Sequence, residues 1–160
     1  MNLTLGYTPL LVESCRKHGL LRNQAAYVLA TAYHETAHTM LPVREKGGES
    51  YLRKKKYWPY VGMGFVQVTW LTNYKRASKE LGVDFVADPK LLLNPEYSAE
   101  IAVVGMKEGW FTGKRLADYI TLQKSDFRQA RRIINILDCA DLIAGYALVY
   151  DGLLKAAGYD

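Results

Sequence analysis

Apolar residues recur at helical spacing through residues 23–40, as Ala26, Leu29, Ala30, Tyr33, Ala37 and Met40, and the pattern stops just before Pro42. A repeat near 3.6 residues specifies an amphipathic helix rather than a strand. Proline has no N–H to donate and its ring clashes with the preceding turn, so the helix must end there. The spacing predicts one helix from about Asn23 to Met40. Thr31, His34, Glu35 and His38 fall on the side opposite the stripe, which turns Glu35 toward solvent or a cleft.

Helical signals recur on either side of this segment. Thr8-Pro9 reads as a cap followed by proline at the first helical position, and Gly19 as a stop. A helix over roughly 72–81 is capped by Thr72 and stopped at Gly82, and another starts at Asn94-Pro95 and carries Tyr97, Ile101 and Val104. "SDFRQARRIINIL" puts Phe127, Ala130, Ile134 and Leu137 on one helical face. The last helix runs from about Asp141 to Gly158 with Leu142, Tyr146, Val149, Leu153 and Ala157 as its stripe. Residues 43–61 have no period and are rich in glycine, charge and aromatics, the composition of a long functional loop. "GFVQVTW" alternates, with Phe65, Gln67 and Thr69 on one face and Val66, Val68 and Trp70 on the other, and reads as a short strand. The expectation is a mainly α fold with a small extended element.

At 160 residues, 49% of them apolar and without repeats or linker-like stretches, the chain fits one folded domain spanning residues 1–160. The N-terminus lacks a basic region followed by an apolar core, so no signal peptide is expected, and no apolar run reaches the ~20 residues of a membrane span. Cys15 and Cys139 do not make a disulfide framework and read as small hydrophobes of a reducing compartment. A net charge of +5 suits an anionic partner. Nucleic acid is one such partner, but no nucleic-acid motif appears and sixteen acidic residues dilute the field, so none is expected.

"HETAH", residues 34–38, matches the zinc-protease pattern, in which two histidines one turn apart ligate Zn²⁺ and the glutamate between them is the base. A catalytic zinc needs a third protein ligand. The only other histidine is His18, and nothing in the sequence selects among Glu80, Glu96 and Glu100. The competing chemistry is glycoside hydrolysis, which uses two carboxylates, one to protonate the leaving oxygen and one to activate water or attack the sugar. Glu35 on a helix can be the first. Glu45 and Glu49, in the loop that returns after Pro42, are candidates for the second across a gap of about 6.5–9.5 Å.

Three stretches in order, "AYHETAHTMLPVREKGGESYL", "YVGMGFVQVTWLTNYKRASKELGVDFVADPKLLLNPEYSAEIAVVGMKEGWFTG" and "RRIIN", resemble the family 19 chitinases and their phage-lysin relatives over roughly residues 23–154. The resemblance implies a lysozyme-like glycosidase domain with its small extended element beside a substrate cleft, and no metal or other cofactor. It implies Glu35 as general acid, Glu45 as general base, and Thr69 as the hydroxyl that positions the attacking water. Gln67, Asn73, Tyr74 and Asn135 correspond to sugar-contacting residues. His34, from its place beside Glu35 in the chain, is a further substrate-site candidate that can orient or polarise that carboxylate. Glu49 is the reserve base. Two positions depart from the family pattern: Met63 replaces an arginine, and "IINILD" lacks the glycine that usually follows the asparagine.

Chitin and peptidoglycan both contain β-1,4-linked N-acetylated amino sugars. The basic charge and the lack of signal and disulfides favour an endolysin that waits in the host cytoplasm until the membrane is breached and then acts on bacterial peptidoglycan as a monomer, without membrane insertion. Arg53 to Lys56 are cations for anionic wall polymers, and Tyr57, Trp58 and Tyr60 are aromatics for sugar rings.

Overall fold

Residues Ala25 to Ala32 are all buried, so the second helix is enclosed on every side and forms the axis of the molecule. The computed structural model describes residues 1–160. In chain order the elements are α1 (Thr8–Lys17), α2 (Arg22–Glu35), β1 (Val43–Arg44), α3 (Glu49–Leu52), β2 (Met63–Gly64), α4 (Leu71–Leu81), α5 (Pro95–Glu108), α6 (Leu116–Tyr119) and α7 (Ala140–Ala156). Short 3₁₀ turns occupy Pro89–Leu93 and Gln129–Ile133. The mainly α expectation holds. No helix is long and apolar enough to cross a membrane.

α7 lies along α2 and α5 packs on α1. Each fully buried large apolar side chain contributes about 1.5–3 kcal/mol, so Tyr27, Val28 and Leu29 fix α2 firmly among its neighbours. The stripe that α7 buries is Ile143, Ala147, Tyr150 and Leu154, one residue on from the expected one. Leu142 and Val149 of the expected stripe are exposed. α7 is apolar on most sides, so periodicity alone does not choose its face; the contact with Tyr33 of α2, edge-on to Tyr146 and Tyr150, does.

Caps separate the correct helix starts from the displaced ones. Asn94 accepts from the amides of Glu96 and Tyr97 and starts α5 as expected. Thr8 and Thr72 instead lie inside α1 and α4, behind Tyr7 and Trp70, and Gly82 stops α4 in the left-handed conformation. The expected helix over "SDFRQARRIINIL" is only the 3₁₀ turn 129–133.

α2 ends at Glu35, five residues before the expected Met40. Ala37, His38 and Met40 all take positive φ, which no helix continues through. The turn is fastened from several sides. The Thr36 hydroxyl donates to the Ala32 carbonyl and accepts from the Met40 amide, and the His38 amide donates to the Tyr33 carbonyl. The Tyr7 amide reaches the Met40 carbonyl at 2.9 Å. Gly6, also at positive φ, lies so close that a Cβ there would stand 2.5 Å from the Met40 oxygen and 2.6 Å from that of Thr39.

"GFVQVTW" is not a strand. β1 and β2 pair antiparallel, Val43 with Gly64 and Arg44 with Met63, and the chain then turns back within residues 65–67 so that Met63 and Val68 exchange backbone hydrogen bonds. Phe65, Val66 and Val68 are all buried, so the alternation in sequence does not become alternation of faces. Gly64 is required, because a Cβ would stand 2.5 Å from the Ser98 hydroxyl, which accepts from the Phe65 amide. Met63 is buried in the core, so the position where the family carries arginine here supplies packing.

Candidate active site

Four chain stretches that end or turn at one place create an open cleft of about 510 Å³. The last residue of α2 contributes Glu35, the residue after β1 contributes Glu45, the turn and α4 start contribute Gln67, Thr69 and Asn73, and the segment after the second 3₁₀ turn contributes Asn135. All six were expected at the site.

The two carboxylates are held differently. Glu45 accepts from the Tyr57 hydroxyl at 2.9 Å on one oxygen and from the Gly62 amide at 2.8 Å on the other, which fixes the plane of the group. Burial, and then the Glu45 carboxylate it serves, push Tyr57 up to about 12, so its hydroxyl stays protonated as a donor. One oxygen of Glu35 accepts from Nη2 of Arg131 at 3.1 Å. Arg131 is only 2% exposed, and its Nε donates to the Asp138 carbonyl. Sequence reasoning missed Arg131. "RRIIN" presents two consecutive arginines, and only the fold shows that Arg131 is buried while Arg132 is exposed.

The cleft floor is a ladder of side chains donating to backbone carbonyls. The Gln67 amide donates to Val43 and Gly64, the Thr69 hydroxyl to Gln67, and the Asn73 amide to Thr69. Gly62 lies at its centre. A Cβ there would stand 2.9 Å from Gln67 Oε1 and 3.3 Å from both Glu45 Cβ and Thr69 Oγ1. Gln67 is pinned at its other end and cannot swing aside freely. Gly62→Ala is therefore expected to lower kcat by about tenfold or more through displacement of Glu45 and Thr69, with the fold retained. Kinetics beside a thermal melt check this, and unchanged kcat would show that the floor yields.

Other expected site residues lie elsewhere. Tyr74 is fully buried with its hydroxyl on the Val61 carbonyl, so it offers a sugar no surface and supports the floor instead. Tyr60 packs edge-on against Tyr74. Trp58 is half-buried beneath the guanidinium groups of Arg44 and Arg53. Glu49 is exposed at the start of α3, paired with Arg53 at 2.8 Å. None of Tyr60, Trp58, Glu49 or His34 lines the cleft. The cleft aromatics are Tyr57, Phe111 and Trp70, the last 49% exposed and edge-on to Tyr57.

The zinc geometry read into "HETAH" does not form. Because α2 ends at Glu35, His34 and His38 do not share a helical face. His38 stacks on Tyr33 at 4.4 Å and bonds the Tyr146 hydroxyl at 3.1 Å. Burial holds His34 below the ordinary histidine value. No three His, Cys, Asp or Glu side chains converge where they could hold a metal.

The fold is a mainly α, lysozyme-like one: the chain superimposes on chitinase C from Streptomyces griseus HUT6037 with a TM-score of 0.62, at 20% identity over 84% of this chain and 60% of that one. A mutant of chitinase C matches at 0.51, with 20% identity over 78% and 73%. In sequence the chain is 30% identical over 131 residues to an acidic endochitinase of Dioscorea japonica, covering 76% of this chain. It thus resembles the family 19 glycoside hydrolases in sequence as well as in fold. It spans about half the length of that curated relative, 49%. No family model matches it.

Proposed function

We propose that this chain is a glycoside hydrolase that cleaves β-1,4 bonds between N-acetylated amino sugars of bacterial peptidoglycan, with inversion at the anomeric carbon. The observation that carries the proposal is the convergence of Glu35 and Glu45 on one cleft. Glu35 gives its proton to the glycosidic oxygen from the oxygen that Arg131 does not hold. Glu45, locked in plane by Tyr57 and Gly62, takes a proton from water as the water attacks the anomeric carbon. The Thr69 hydroxyl, already donating to Gln67, accepts from that water and orients it. Trp70 offers a face for a sugar ring. The products are a new reducing end and a free alcohol, and proton exchange with solvent resets both carboxylates.

The basic surface draws the enzyme, as a monomer, to anionic wall strands once the membrane is breached. Chitin is the second reading, favoured by the likeness to an endochitinase. Mass spectrometry of fragments from purified peptidoglycan and from chitin oligosaccharides, with the anomer formed first followed by NMR, tests both. New reducing ends from peptidoglycan, formed as the α anomer and at an unchanged rate after dialysis against a chelator, are expected. Fragments from chitin alone would move the assignment to the second reading, and released amino termini would overturn it.

A further inference from the structure

The catalytic cleft continues at one end into a second groove of about 410 Å³, and Ile134 and Asn135 line both. The rest of this groove is Thr112 and Lys114 from the loop between α5 and α6, with Arg132 and Ile136. The loop is fastened in place: the Thr112 hydroxyl donates to the carbonyls of Arg132 at 2.7 Å and Ile133 at 3.0 Å, and accepts from the Lys114 amide at 3.3 Å. Lys114 and Arg132 are thus carried by two segments joined to each other.

Both cations are exposed, and neither is paired with a carboxylate. Arg132 Nε donates to the neutral Gln129 amide at 2.8 Å, and Asp118, the nearby acid in sequence, is taken by Arg115. No acidic residue lines the groove. Ile136 is 74% exposed at its edge, an apolar surface with nothing from this chain on it. The groove offers two unneutralised donors beside an apolar rim, continuous with the place where a glycan strand would lie.

We propose that this groove is a subsite for a carboxylate carried on a side branch of the glycan strand, with Lys114 and Arg132 as its ligands and Ile134 and Ile136 against the branch's methyl groups. The proposal rests on the glycan-hydrolase reading and adds to it a preference for an acidic, branched strand over a neutral, unbranched one.

Binding separates the two readings, because it needs no turnover. Soluble peptidoglycan strands are titrated into the Glu35→Gln variant in three forms: bearing stem peptides, stripped of peptide but retaining the sugar's lactyl carboxylate, and with all carboxylates amidated by carbodiimide and ammonia. Peptide-bearing strands are expected to bind roughly tenfold more tightly than amidated ones at low salt, the effect of two exposed cation–carboxylate pairs, and the gap narrows as salt rises. Adding Lys114→Ala and Arg132→Ala should erase the gap without changing the melting temperature. Stripped strands that bind like the intact ones place the lactyl carboxylate in the groove; stripped strands that bind like the amidated ones place the peptide's there. Equal binding of intact and amidated strands with the groove unaltered, or a preference that survives the double substitution, would overturn the subsite. Failure of the unaltered enzyme to release reducing ends from any strand would instead overturn the hydrolase reading.

Discussion

Glu35→Gln is expected to leave the fold intact and reduce the release of reducing ends by 10²–10⁴-fold or more, the usual worth of a positioned acid. Glutamine keeps the shape of the side chain and can still accept from Arg131, so the change removes the transferable proton and little else. Glu45→Gln should be nearly as damaging, because a neutral amide cannot take the proton from water. It also offers an N–H where Gly62 or Tyr57 now donates. Glu49→Gln is the control: its carboxylate lies outside the cleft on Arg53 and should change the rate less than twofold. Rates per folded molecule for the three variants decide the matter. A severe Glu49→Gln with a mild Glu45→Gln would reverse the choice of base.

Arg131→Leu is expected to cause a larger loss of stability than any of these, together with a loss of activity. The guanidinium is 2% exposed and joins Glu35 to the Asp138 carbonyl, and removing one member of a buried pair strands the other. Glu35 is 18% exposed, so water offsets part of that cost, and about 2–3 kcal/mol is expected rather than the full range for a sealed pair. Arg131→Lys keeps the charge, yet a single ammonium cannot span both partners as the planar group does, so activity should fall even where stability recovers. Denaturant unfolding read beside kcat separates the effects. If Arg131→Leu unfolds at the same midpoint as the parent protein, the pair has no structural role.

What the sequence made legible was whatever depends on neighbours in the chain. Asn94 caps α5 because its side chain needs only the next three residues to do so, and Gly82 stops α4 for an equally local reason. The end of α2 was misread because Ala37 and Met40 continue a helical rhythm while their backbones turn left-handed under contacts from Thr36 and Tyr7, one of them distant in sequence. "GFVQVTW" mimicked a strand because a tight turn can also alternate residue types. Glu35 was legible from its helix face and Glu45, alongside Glu49, from the loop that returns after Pro42; Gln67, Thr69, Asn73 and Asn135 were found through a resemblance of motifs, and the fold brings all six to one cleft. Trp70 and Arg131 were not found. One is an exposed aromatic and the other a buried cation, and neither state is written in the residue type.

The braced turn after Glu35 has a bearing on how the protein can be handled. Nine residues separate Glu35 from Glu45, and that connector is fixed at Met40 by Tyr7 and pressed by Gly6, residues ahead of α1 that do not line the cleft. The alignment of Glu35 with Glu45 is thereby tethered to residues 6 and 7, ahead of α1. A deletion or bulky substitution there acts on the gauge of the gap between the two carboxylates itself.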